Sequence, residues 1–144
     1  MQNLKKLKGV LIDTSVWVNF FRGRTEIVTP VKNLVISNQA ILCGLVISEV
    51  VQGIKSEKER EIVKEAFLGI PYIEMDRTCW EEAGDVALKL RKRGKIVPLT
   101  DIFMATLAIH YGLEIFTFDK HFELVPSVSL FKHREFLEKK GALE

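Results

Sequence analysis

The chain is short of the residues that mark the commonest special architectures. Only two cysteines occur in 144 residues, Cys43 and Cys79, far apart and with no Cys-x-x-Cys or Cys/His ligand spacing. A disulfide scaffold is thereby excluded, and two reduced, mostly buried thiols in a cytoplasmic protein are predicted. No segment approaches the roughly 18 apolar residues of a membrane span. The basic start (Lys5, Lys6, Lys8) fails as a signal peptide, because Asp13 breaks the apolar run that follows. An excess of one charge is also missing: 21 Lys and Arg against 19 Asp and Glu leave a net +2. That neither marks nor excludes a nucleic-acid binder, since a local basic face is enough. There is no repeat, no low-complexity tract, no Gly-rich phosphate loop and no Gly-x-Ser-x-Gly elbow. The three histidines (His110, His121, His133) form no ligand motif and read as surface or packing residues.

What remains is 47 % hydrophobic and 28 % charged, the balance of a globular domain, and residues 1–144 read as a single one. Short apolar runs alternate with amphipathic ones. Residues 9–13, the eight-residue run "AILCGLVI" (40–47), "IPYIEM", "EIFTFD" and "SVSLF" read as strands. Helices are predicted over 16–21, after Ser48 as N-cap, over 56–69 closed by Gly69, from Asp76 to Gly94, and over "LTDIFMATLAIHYG". "TEIVTPVKNLVISN" reads as a loop and a helix interrupted near Pro30, and "KHREFLEKK" as a terminal helix or tail. Alternation of this kind predicts a three-layer α/β/α sandwich with a mainly parallel, five-stranded sheet.

Such sheets bind ligands at the carboxyl ends of their strands, and four acids fall there. Asp13 ends the first strand, where it competes with an ordinary helix-cap role. Asp101 opens a helix that is otherwise nearly all apolar, so it stands at the mouth of something internal. Glu49 points away from the apolar face of its helix, and only its place after a buried strand distinguishes it from a surface Glu. Asp119 ends "EIFTFD", where a turn-forming Asp is common. Together they matter more than singly. Two carboxylates about 5 Å apart repel by roughly 3 kcal/mol at an effective dielectric near 20, and no Arg or Lys stands ready as a partner for each. Protonation or a divalent cation relieves such a cluster. Oxygen ligands suit Mg²⁺ or Mn²⁺, and metal-assisted phosphodiester hydrolysis is the chemistry left by elimination. A haloacid-dehalogenase-type phosphatase needs a second Asp where this chain has Ser15. A receiver-like domain needs an early acid pair and a late Lys.

The segments "LIDTSVWVNFFRG", "ISEVVQGI", "PLTDIFMATLAIHYG" and "IFTFDKHF" follow one another in the order of a known pattern. Almost end to end, the chain resembles the PIN domain, specifically the VapC-type toxin ribonucleases of toxin–antitoxin pairs. The resemblance implies Asp13, Glu49, Asp101 and Asp119 as an acidic quartet around one or two Mg²⁺ or Mn²⁺ ions, supported by Ser15 and Thr117. It implies cleavage of single-stranded or loop RNA, often tRNA or ribosomal RNA, leaving a 3′-hydroxyl and a 5′-phosphate. It also implies a homodimer and a cognate antitoxin whose tail covers a groove beside Trp17, Phe20 and Phe21 and offers a basic side chain to the acids. Arg22 and Arg24 are the candidate RNA-holding rim, while the run from Lys89 to Lys95 reads as a solvated helix end. A housekeeping PIN-fold nuclease and a non-catalytic PIN-fold binding protein are the competing expectations.

Overall fold

Three consecutive branched residues, Val10–Ile12, form the innermost strand, β1, and all three are buried. β1 pairs in parallel with β2 (Ala40–Cys43) on one side and with β4 (Glu114–Phe116) on the other. β3 (Tyr72–Ile73) and β5 (Ser129–Leu130) complete a five-stranded parallel sheet in the order β3-β2-β1-β4-β5. Continuous apolar strands of this kind belong to sheets covered on both faces. The computed structural model describes residues 9–132. The lysines before Gly9 and the tail predicted from His133 onward lie outside the described residues.

Among the described residues six α-helices cover the sheet: α1 (Thr14–Phe21), α2 (Thr25–Ile36), α3 (Gly44–Gln52), α4 (Glu57–Phe67), α5 (Arg77–Lys92) and α6 (Leu99–Tyr111). Parallel crossovers are right-handed. Moving outward from β1 through β2 to β3 therefore places α1–α4 on one face, and the return from β3 to β4 places α5 and α6 on the other. The packing agrees: α1 lies against α2 and α3, α3 against α4, and α5 against α6. The predicted three-layer arrangement is the observed one. Its buried side chains form one continuous core, with Trp17, Phe116 and Phe122 the largest.

Three local expectations are corrected. The run 40–47 is not one strand: β2 stops at Cys43, α3 starts at Gly44, and Ser48 lies inside that helix rather than capping it. Residues 25–36 form one uninterrupted helix with Pro30 inside it. Ile27, Pro30, Val31 and Leu34 share its buried face, so the ring fills core space and burial offsets the missing hydrogen bond. Gly69 does not close α4 in a left-handed turn, whereas Gly112 does close α6, at φ 67°.

Candidate active site

The order of strands reverses at β1, so the crevice between the carboxyl ends of β1 and β4 is the natural ligand site. Asp13 stands there directly after β1, its own N–H donating to the Phe116 carbonyl of β4 at 2.9 Å. Its backbone occupies the N-cap position of α1, but its side chain makes no cap hydrogen bond. The helix-cap explanation of this acid therefore fails. Its carboxylate is held instead from two directions. Ser15 Oγ donates to Asp13 Oδ2 at 3.0 Å, and Thr117 Oγ1 donates to the same oxygen at 2.9 Å.

Both hydroxyls are used twice. Ser15 Oγ accepts from the Phe118 N–H at 3.2 Å, and Thr117 Oγ1 accepts from the Asp119 N–H at 2.9 Å. The start of α1 and the segment after β4 are thus clamped together around one carboxylate. Asp13 is 7 % exposed, and burial pushes its pKa above the ordinary value, partly offset by the bonds from Thr117 and Ser15.

Asp101 reaches the same place from the first turn of α6. Its pKa is pushed up to about 7, first by burial, then by the charge of Asp119 and a carboxyl–carboxyl hydrogen bond with it, and by the charge of Asp13. His121 pulls the other way. Its Nδ1 lies 2.8 Å from Asp119 Oδ1 and 3.5 Å from Asp101 Oδ2. Asp101 Oδ2 is buried without a hydrogen-bond partner, an arrangement that costs free energy unless something completes it. Asp101, Asp119 and His121 each present one ligand atom, all within 4.8 Å of one another.

Three of the four acids named from sequence therefore converge: Asp13, Asp101 and Asp119. Glu49 stands to one side on α3, tied to the start of α1 through Thr14 Oγ1, which donates to Glu49 Oε1 at 3.0 Å. Arg22 and Arg24 are exposed beyond the far end of α1, Arg22 about 14 Å along the helix axis from Asp13. Trp17 is core at 1 % exposure, while Phe21 is 40 % exposed beside it. His121, read from sequence as a surface or packing residue, is exposed, and it also lies against two of the acids. It follows Asp119 by two residues, and a tight turn there folds it back toward the acids. Here that turn is a 3-10 helix over Lys120–Leu124, with Asp119 Oδ1 accepting from the His121 N–H.

The sequence profile of the PIN domain matches residues 10–128, which contain every residue of this site. The chain belongs to the PIN domain family. A VapC ribonuclease of Mycobacterium bovis and ribonuclease VapC11 of Mycobacterium tuberculosis are each 25 % identical to it over 125 residues, covering 83 % of this chain and 93 % of theirs. Among solved structures, VapBC2 from Rickettsia felis bound to a promoter DNA fragment matches with a TM-score of 0.74 at 17 % identity, covering 85 % of this chain and 96 % of that one. DNA-bound VapBC from Salmonella typhimurium matches with a TM-score of 0.74 at 18 % identity, over 86 % and 97 %. These two likenesses establish the PIN fold. No described helix is long and apolar enough to cross a membrane.

Proposed function

We propose that this PIN domain, read as a single unit over residues 1–144, is a divalent-metal-dependent endoribonuclease and the toxin of a toxin–antitoxin pair. The observation that carries this reading is the convergence of Asp13, Asp101 and Asp119, with the buried Oδ2 of Asp101 accepting no hydrogen bond and facing His121 at 3.5 Å. A site built only for stability would pair these acids with Lys or Arg, and no such bridge to them is found among the described residues. The donor set fits a hard cation of the Mg²⁺ or Mn²⁺ type. Asp13 and Asp101 would hold it directly, and Asp119 and Glu49 directly or through water. When bound, one or two such ions would supply water activation and charge neutralisation at a phosphodiester. Ser15 and Thr117 fix the Asp13 carboxylate so that it needs no reorganisation. Burial keeps bulk water from screening it. Without a cation, the clustered negative charge repels an RNA backbone.

The VapC names of the curated relatives support the ribonuclease reading, and the VapBC complexes among the structural neighbours support an antitoxin partner. A groove of about 440 Å³ bordered by Phe21, Arg22, Ile54 and Ile62 is the candidate seat for the antitoxin tail. The RNA, tRNA or ribosomal RNA, and a homodimeric state belong to the same proposal. The test is cleavage of total RNA by the purified chain in Mn²⁺, in Mg²⁺ and in EDTA. Cleavage is expected with either metal, none in EDTA, and a loss of at least a hundredfold in Asp13→Ala and Asp101→Ala. Undiminished cleavage by either variant overturns the assignment.

A further inference from the structure

The carboxyl edge of the sheet does not end at the acids. One strand further out it opens into a cleft of about 330 Å³. Its floor is Cys43 and Gly44, where β2 gives way to α3, and its walls carry Tyr72, Trp80 and Phe103. It neighbours the acidic site along the sheet edge: the β1–β2 register, with Leu11 opposite Ile41, sets Cys43 opposite Asp13, and adjacent strands lie about 4.8 Å apart. Two further lining residues, Phe103 and Ser48, belong to the helices that carry Asp101 and Glu49.

The chemistry of the cleft is that of a base site rather than a phosphate site. No Lys or Arg lines it, and the one charged group is the Glu74 carboxylate, which repels phosphate and accepts from an amino group. Trp80 and Tyr72 are large aromatics left 50 % and 48 % exposed. Trp80 is braced edge-on against Phe103, with ring centres 4.8 Å apart. Gly44 leaves room for the Tyr72 hydroxyl, which a Cβ there would meet at 3.0 Å. Braced, exposed aromatic rings beside a reacting site are the usual platform for unpaired bases.

We propose that this cleft holds the base of a nucleotide flanking the scissile phosphate in single-stranded RNA, stacked on Trp80 and Tyr72, with Glu74 favouring bases that carry an amino group. The cleavage part of this proposal rests on the ribonuclease reading; base binding does not, and the experiment separates them. The full chain in EDTA at low salt is titrated with an octacytidylate and with an abasic octamer, and tryptophan emission is followed. Trp17 is buried, so quenching reports Trp80. Quenching by the octacytidylate alone, lost in Trp80→Phe, is expected. In Mn²⁺, Trp80→Ala and Tyr72→Ala are each expected to lower kcat/KM about tenfold or more, mainly through KM. Trp80→Phe restores most of it. An octamer abasic beside the cut site erases the difference between wild type and Trp80→Ala. Quenching without any cleavage sustains the base site and overturns the ribonuclease reading. Cleavage with unchanged kinetics in both variants and no quenching overturns the base site. Shielding of Trp80 from acrylamide that grows with protein concentration and needs no RNA also overturns it, because a second copy of the chain then covers the cleft.

Discussion

Asp101 is the residue at which the proposed metal-holding role opposes stability. Its side chain is 14 % exposed, it faces two other acids, and its pKa is pushed up to about 7. An unfolded Asp ionises near 3.9. Below about pH 4 the carboxyl is protonated in both states and costs nothing. Between about pH 4 and 7 the unfolded chain ionises it while the folded chain does not, so stability falls as pH rises. Without metal, Asp101→Asn is therefore expected to stabilise the chain by about 1–3 kcal/mol at pH 7.5. The gain should vanish near pH 4. Urea unfolding of both proteins in EDTA at the two pH values checks this. Equal midpoints at pH 7.5 would show that Asp101 is not held away from its charged form. What sequence made legible is that acids gather at the carboxyl edge of the sheet: Asp13 directly follows β1, whereas Asp119 lies three residues beyond the end of β4 and Asp101 comes from the first turn of α6. His121 was not legible, because its approach to Asp119 and Asp101 depends on a 3-10 turn that no periodicity announces.

Among the elements, α1 joins core to surface. Trp17 is buried, stacked on Phe21 and met edge-on by Phe20 and Phe67, whereas Phe21 lies at the groove beside α3 and α4. The two aromatic residues should therefore separate stability from partner binding. Trp17→Ala is expected to cost about 3–5 kcal/mol. Phe21→Ala is expected to cost about 1 kcal/mol or less, while weakening capture of the co-expressed antitoxin at least tenfold. Urea denaturation and pull-down of the pair measure both effects. A Phe21→Ala chain that retains full antitoxin affinity removes this groove from the interface. The same scale shows where periodicity misleads. "AILCGLVI" is apolar throughout, and a run of eight such residues fits a strand or a helix equally well. The structure divides it after four, at Gly44. Pro30 misleads for the opposite reason: its local cost in a helix is real, but Ile27, Val31 and Leu34 bury the same face and tertiary packing outweighs it.

For the whole molecule, the near-neutral balance of 21 basic and 19 acidic residues hides an uneven distribution. Three of the acids are pressed together at one sheet edge, while Lys89, Arg91 and Lys92 stand in the last turn of α5, where the helix dipole favours them. The fold thus holds repulsion at the site that His121 offsets only in part, and a cation that binds there should stabilise the entire domain. At a Mn²⁺ concentration one hundred times its dissociation constant, the gain is about 2.7 kcal/mol, or roughly 5–10 °C in Tm for a chain of this size. Because Asp101 holds its proton up to about pH 7, metal must displace that proton at lower pH. The Tm increase should accordingly be largest at pH 8 and shrink progressively toward pH 5.5. Asp101→Asn, the more stable chain in EDTA, should gain little from Mn²⁺, so the stability order of the two proteins narrows or inverts when metal is added. Differential scanning calorimetry of both chains, with and without Mn²⁺ at the two pH values, tests this. A Tm gain that survives in Asp101→Asn, or that does not change with pH, would place the stabilising cation somewhere other than among these carboxylates.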